Sequence, residues 1–206
     1  MRFGTLNGRM VLVRNDAALE VPGDVLAALA RWPELTAWAA TADWSKARPV
    51  TDAELGPPVP NPRQVFAVAL NYRPHAAEAG FTAPEEPLIF TKFPSCIAGP
   101  VTEVTLPGGK PDWEIEVVAV IGAGGHRIPR ERAWDAVAGL TVGQDLSERA
   151  GQLRGSPAQF SSRSPTPVSG RPGRCRSHPT SSRTAPTSGS SACSTARSCS
   201  AGAPAR

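Results

Sequence analysis

The alternation of apolar and polar positions is clearest in Asp112-Trp113-Glu114-Ile115-Glu116-Val117-Val118-Ala119-Val120-Ile121-Gly122. This run is β-branched and mostly apolar, opened by the turn-forming Pro107-Gly108-Gly109-Lys110-Pro111 and stopped by Gly122, and it predicts a strand. Alternate side chains share a face of a strand, so Glu114 and Glu116 stand together, about 6.6 Å apart along it. Val118 and Val120 continue that face, which places the two carboxylates at the wet mouth of an otherwise buried strand.

The same patterning divides the rest of the chain. Residues 8–13 predict a short strand. Asp24 caps a helix running through Trp32, with Val25, Leu26, Leu29 and Trp32 as its apolar stripe and Pro33 ending it. Trp38 and Trp44 pack on the same small core, and the stiff stretch Gly56-Pro57-Pro58-Val59-Pro60-Asn61-Pro62 marks a boundary after a small N-terminal module of residues 1–60. Residues 64–70 read as a buried strand that delivers Asn71-Tyr72-Arg73-Pro74-His75, with a helix after Pro74. Strands follow at 88–93 and 101–106. A short helix follows at 130–137, with Trp134 and Val137 inward and Gly139 closing it. A strand over 140–145 then ends on Asp145.

Composition changes this picture in one respect. The 206 residues carry a net charge of +4, with 22 prolines and 19 glycines. Seven arginines (Arg163, Arg171, Arg174, Arg176, Arg183, Arg197, Arg206) lie beyond Phe160, and without them the first 160 residues stand at −3. The basicity therefore belongs to the tail and gives no ground for nucleic-acid binding by the fold. No apolar run reaches the ~18 residues of a membrane span. The first residues lack the apolar core of a secretory signal, so the expectation is cytoplasmic. Of the four cysteines only Cys96 lies in folded-looking sequence, where it reads as buried filler; no disulfide framework or zinc pattern is present.

Two carboxylates as close as Glu114 and Glu116 repel unless a cation stands between them, and Mg²⁺ or Mn²⁺ takes such hard oxygen ligands. The plain alternative is a solvated edge with two unrelated acids. His75 and Glu78, three apart on a helix, meet on one face, an arrangement that fixes the imidazole tautomer for general-base work or is an ordinary surface pair. Asp145, with Arg149 and Gln152 four and seven residues on, could supply a third metal ligand and two anion-facing donors, or be a helix N-cap.

Four motifs occur in order: Asn71-Tyr72-x-x-His75-x-x-Glu78, Phe90-x-Lys92-x-Pro94-Ser95, Asp112-x-Glu114-x-Glu116, and Asp145-x-Ser147-x-Arg149-x-x-Gln152. Together they resemble the fumarylacetoacetate hydrolase family over residues 62–160. The resemblance implies an α+β, mostly β fold: a mixed β-roll catalytic domain over 61–160, incomplete here, behind a small N-terminal α/β module. It implies Mg²⁺ or Mn²⁺ held by Glu114, Glu116 and Asp145, and His75 with Glu78 as the catalytic pair. Tyr72, Lys92, Arg149 and Gln152 would lie on the substrate side. The substrate would be a 2-oxo or 1,3-dicarbonyl acid undergoing C–C hydrolysis, decarboxylation or isomerisation of the 2-hydroxyhepta-2,4-diene-1,7-dioate type. A homodimer is expected of the intact fold, with no nucleic-acid or membrane partner.

Past Phe160 the family pattern continues with an active-site lysine in a Gly-Lys-Ser segment, whereas this chain turns to Ser/Arg/Pro-rich sequence to residue 206. Such a stretch reads as a disordered tail. Phe160 to Gly170 can, however, be encoded so that one base restored in the Ser161 codon yields Phe-Ser-Leu-Ala-Lys-Ser-Tyr-Pro-Gly-Phe-Gly. The expectation is therefore a frameshift near Ser161, with an open sheet edge, an uncovered apolar face, low stability and little or no activity. The competing class is a non-catalytic protein whose Arg163-Ser164, Arg176-Ser177 and Arg197-Ser198 pairs bind RNA, but no aromatic follows Phe160 to stack on bases.

Overall fold

Two tight turns shape the beginning of the chain. Asn7-Gly8 and Asn15-Asp16 all adopt positive φ, as the two-residue hairpin turns that match strand twist require. They join β1 (Arg2–Leu6), β2 (Arg9–Arg14) and β3 (Ala17–Glu20) into an antiparallel meander. Only the middle strand was expected from hydrophobic pattern; the Asn-Gly and Asn-Asp turn pairs carry the other two. The computed structural model describes residues 1–156 except 79, 83 and 107, then 159–161, and the backbone of 168–169 and 175–176.

The Asp24 carboxylate caps α1 (Val25–Ala30), accepting from the amides of Leu26 at 2.9 Å and Ala27 at 3.1 Å. Pro33 does not end that helix. It sits in the first turn of a second one, α2 (Trp32–Thr41), where its missing N–H costs nothing. Phe3, Met10, Leu12, Val25, Leu29, Trp32 and Leu35 form the main core, with Trp38 and Trp44 packed on it as expected. The same core includes Val120 and Ala138, from the two strands that carry the predicted site. The proline-rich connection is also tied back, Gly56 N–H donating to the Thr5 carbonyl at 2.8 Å and Thr5 Oγ1 to that of Pro57 at 2.7 Å.

Beyond β4 (Arg48–Pro49), β5 (Val65–Ala69) leads into α3 (Arg73–Glu78) and pairs antiparallel with β6 (Leu88–Lys92). Phe66 and Val68 are exposed, so β5 is half-buried rather than a fully buried strand. After a 3₁₀ turn at Pro94–Cys96, with Cys96 buried, comes β7 (Ile97–Ala98). Residues 101–106 form no strand: none of the described strands pairs with them, and Val101 and Leu106 stay exposed. The long strands are β8 (Pro111–Ile121) and β9 (Val137–Glu148), joined through a 3₁₀ segment at Arg130–Ala136 whose Trp134 is exposed, not inward. Gly139 lies within β9 instead of closing a helix, and α4 (Arg149–Gln152) follows directly.

Within the stretch read as a structureless tail, two short strands are described: β10 (Val168–Ser169), parallel to β7, and β11 (Cys175–Arg176), between β1 and β9. The remainder of 162–206 lies outside the described residues. The resulting seven-stranded sheet runs β4-β3-β2-β1-β11-β9-β8, with β8 at its edge. Around it the described residues make an α+β architecture of mostly antiparallel strands.

Gly122 closes β8 against the N-terminal helices. A Cβ there would lie 3.1 Å from Ala138 Cβ and 3.2 Å from Trp32 Cβ. Gly122→Val should therefore lower stability by ~1–3 kcal/mol. Urea unfolding should show the N-terminal strands and β8–β9 lost in a single shifted transition.

Candidate active site

Antiparallel register decides which side chains meet. In the β8–β9 ladder Glu114 lies opposite Asp145, Glu116 opposite Gly143 and Asp112 opposite Ser147. Because directly opposed residues share a face, Asp112, Glu114, Glu116, Asp145 and Ser147 gather on one side of this hairpin. The other side carries Trp113, Ile115, Val117 and Ile121, exposed at 52–61%. Polar and apolar rows are thus cleanly separated, and it is the polar row that is covered.

Three elements bring basic groups to that face. Leu70 adopts a φ of 54°, a left-handed conformation that costs a branched residue about 1–3 kcal/mol. It turns the chain from β5 through Tyr72 into α3, which delivers His75. His75 Nε2 lies 3.2 Å from Glu114 Oε1. Lys92, at the end of β6, shares the inward face with Phe90, and its ammonium lies 2.5 Å from Asp145 Oδ1 with both side chains more than nine-tenths buried. Arg149 opens α4; it donates to Asp112 through Nε at 2.9 Å, to Gln152 Oε1 at 2.8 Å and to Glu114 through a very short contact.

Arg149 is held in place by its neighbours. The Glu148 carboxylate caps α4, accepting from Ala150 N–H at 3.0 Å and Gly151 N–H at 2.6 Å, and it also accepts from Lys110 N–H at 2.9 Å. Gly109 makes room for this clasp: it has a φ of 108°, and a Cβ there would stand 2.6 Å from Glu148 Oε1.

The electrostatics follow from crowding. Burial raises the pKa of Glu116 first, and repulsion from Glu114 and Asp145 raises it further, against His75 and Lys92. Burial also pushes Asp145 up, opposed chiefly by Lys92. Arg149 goes the other way: burial disfavours its charge, but hydrogen bonds to Glu114 and Asp112 outweigh that and hold it protonated more firmly. Hard oxygen donors in surplus on one face are the donor set that Mg²⁺ and Mn²⁺ take, and the chemistry of this face fits such an ion. The side chains themselves are turned to Lys92, His75 and Arg149, and among the described residues no three of His, Cys, Asp or Glu are grouped to hold one.

Of the residues expected from sequence, Glu114, Glu116, Asp145, His75, Lys92, Arg149 and Gln152 come together. Glu78 does not join them; it is exposed at the end of α3, and the carboxylate meeting His75 is Glu114. Tyr72 is half-exposed and its hydroxyl accepts from Val117 N–H at 3.4 Å. The N-cap of α4 is Glu148, not Asp145. Two contributors were passed over. Asp112, which shares the alternation of Glu114 and Glu116, holds Arg149. Ser147, on the same row as Asp145, has a buried Oγ without a hydrogen-bond partner among the described residues.

The family model described as Fumarylacetoacetate (FAA) hydrolase C-terminal matches residues 64–170. The chain is 43% identical over 105 residues to the mitochondrial oxaloacetate tautomerase FAHD2A of Homo sapiens, covering 50% of this chain and 33% of that protein. Among solved structures, a Mycobacterium smegmatis protein named as HpcE matches at a TM-score of 0.73 and 44% identity, covering 82% of this chain and 63% of the other. The maleylpyruvate hydrolase of Sphingobium sp. SYK-6, crystallised with manganese (II) and pyruvate, matches at 0.59 and 23% identity over 78% and 64%, a likeness of fold alone. The chain spans about a third of the length of the curated relatives it matches.

The raised Glu116 pKa has a signed consequence. The folded protein keeps this proton to higher pH than the unfolded chain does, so the fold loses stability as pH rises through that interval. In chelator at neutral pH, Glu116→Gln should be more stable than the unsubstituted chain. Denaturation across a pH series should show the gain shrinking on acidification and gone once pH falls below the ordinary glutamate value of 4.5.

Proposed function

The chain belongs to the fumarylacetoacetate (FAA) hydrolase family, and from that premise we propose that it is the front part of a divalent-cation-dependent enzyme acting on 2-oxo or 1,3-dicarbonyl acids. Its relatives include tautomerases, hydrolases and isomerases. The observation that carries the proposal is the register placing Glu114 opposite Asp145, with Glu116 on the same row and His75, Lys92 and Arg149 around them.

Glu114, Glu116 and Asp145 would hold Mg²⁺ or Mn²⁺, which when bound supplies a Lewis acid for the oxygens of a chelating dicarbonyl. His75 is the proton carrier of the proposal, taking a proton from water or from the carbon between two carbonyls and returning it. Its imidazole is oriented by Glu114, which takes the place that helical spacing gave to Glu78. Arg149, fixed by Asp112 and Gln152, presents a planar fork suited to a substrate carboxylate. Gln152, Tyr72 and Lys92 complete the polar lining. The β5–β6 hairpin covers the Asp145 end of this face, where Lys92 is buried against it.

The proposal extends to the rest of the sequence. The run after Phe160 is read as an out-of-frame continuation. In frame, it would restore the missing lysine, close the β-roll, cover the exposed row of β8 and complete a cytoplasmic homodimer. Support comes from the legible shifted frame.

A frame-repaired chain should turn over oxaloacetate or an acylpyruvate with Mn²⁺ or Mg²⁺, and the present chain should not. In the repaired chain Glu114→Gln, Glu116→Gln and Asp145→Asn should each weaken Mn²⁺ binding by at least the roughly 10–100-fold that loss of an outer-shell partner costs a metal site. Calorimetric titration checks the binding; unchanged affinity in all three defeats the proposal.

A further inference from the structure

Lys92 reaches its partner across 53 residues of chain. Its ammonium and the Asp145 carboxylate form a pair whose side chains are only 5% and 9% exposed. Buried charges persist only when compensated, and here each charge is an ion-pair partner of the other. Glu114 is compensated in the same way by Arg149, with His75 Nε2 3.2 Å away. Glu116, the next position along the row on β8, enters no ion pair among the described residues. Every proposed ligand that is neutralised is therefore neutralised by a side chain of the protein itself.

We infer that Lys92 is an internal counter-cation that competes with the divalent ion for Asp145, so that metal loading is an exchange of ion pairs rather than the filling of a ready cage. This inference rests on the metal site of the proposed function. The two basic partners are not equivalent. Arg149 can release Glu114 and still keep Asp112 at 2.9 Å and Gln152 at 2.8 Å. Lys92 has its charge sealed beside Asp145. An arriving divalent cation must either displace the ammonium or bind with a like charge against it, and in a site with little water both oppose loading. What Lys92 supplies in exchange is integrity without metal, since it keeps a buried carboxylate satisfied and the β6 end docked on β9. It is thus a positioning residue for Asp145 that lowers metal affinity.

The test compares the full chain with Lys92→Met and Lys92→Arg by Mn²⁺ titration, read by the electron paramagnetic resonance signal of free Mn²⁺, and by thermal melting in chelator. Lys92→Met should bind Mn²⁺ roughly ten-fold more tightly and melt lower in chelator, with Mn²⁺ raising its melting temperature more than that of the unsubstituted chain. Lys92→Arg, which keeps the charge, should bind like the unsubstituted chain. Equal or weaker Mn²⁺ binding by Lys92→Met, with binding by the unsubstituted chain intact, overturns the inference. Failure of the unsubstituted chain to bind Mn²⁺ overturns the metal-site reading beneath it instead. Should Lys92→Met not fold, amine acetylation of the unsubstituted chain decides. Lys92 should be protected relative to exposed Lys46 and Lys110 in chelator and gain reactivity with Mn²⁺, and unchanged reactivity overturns the inference.

Discussion

Mutual repulsion among carboxylates confined to one face of the β8–β9 ladder is the constraint from which the site follows. Register alone puts Glu114 against Asp145, and strand alternation adds Asp112 and Glu116. Covering such a face with apolar groups would strand negative charge in a poor dielectric. The fold answers with basic side chains from three directions: His75 from α3, Lys92 from β6 and Arg149 from α4. Each element is anchored in its own way, α3 by the left-handed Leu70, β6 by its ladder to β5, and α4 by the Glu148 clasp. The geometry of the basic groups is thus a response to the acids rather than an independent feature.

Much of this was legible in sequence because alternation in a strand is a strict code. Period two is enough to place Glu114 and Glu116 together, and ordered motifs located His75, Lys92, Asp145, Arg149 and Gln152. What sequence could not supply was partnership across the chain. The expectation that His75 meets Glu78 used helical spacing, but a cross-element carboxylate, Glu114, lies closer to the imidazole, and proximity decides. Asp112 was visible in the pattern and unassigned, because its partner Arg149 lies 37 residues away. In the N-terminal module the reverse held. Hydrophobic pattern missed β1 and β3, yet their turn residues, Asn7-Gly8 and Asn15-Asp16, carried the information in backbone preference.

The boundary at residues 56–62 also needs physical restatement. Proline content made it read as a stiff boundary after a small module, but a stiff segment can equally be a strap. Here Gly56 and Pro57 hydrogen-bond to Thr5, and Val59 packs on the main core. That core runs without interruption from Phe3 and Trp32 to Val120 and Ala138. The strands bearing the acids are therefore rooted in the N-terminal helices, and the closeness of Trp32 to Gly122 is the point of attachment.

The two-sidedness of the β8–β9 ribbon reaches beyond the site. With acids on one side and Trp113, Ile115, Val117 and Ile121 bare on the other, at the free edge of a sheet, it is an amphiphile as much as a strand pair. Such surfaces are what chaperones grip and what nascent chains use to find one another. In a newly made chain such a ribbon is therefore open to capture and to coalescence alike.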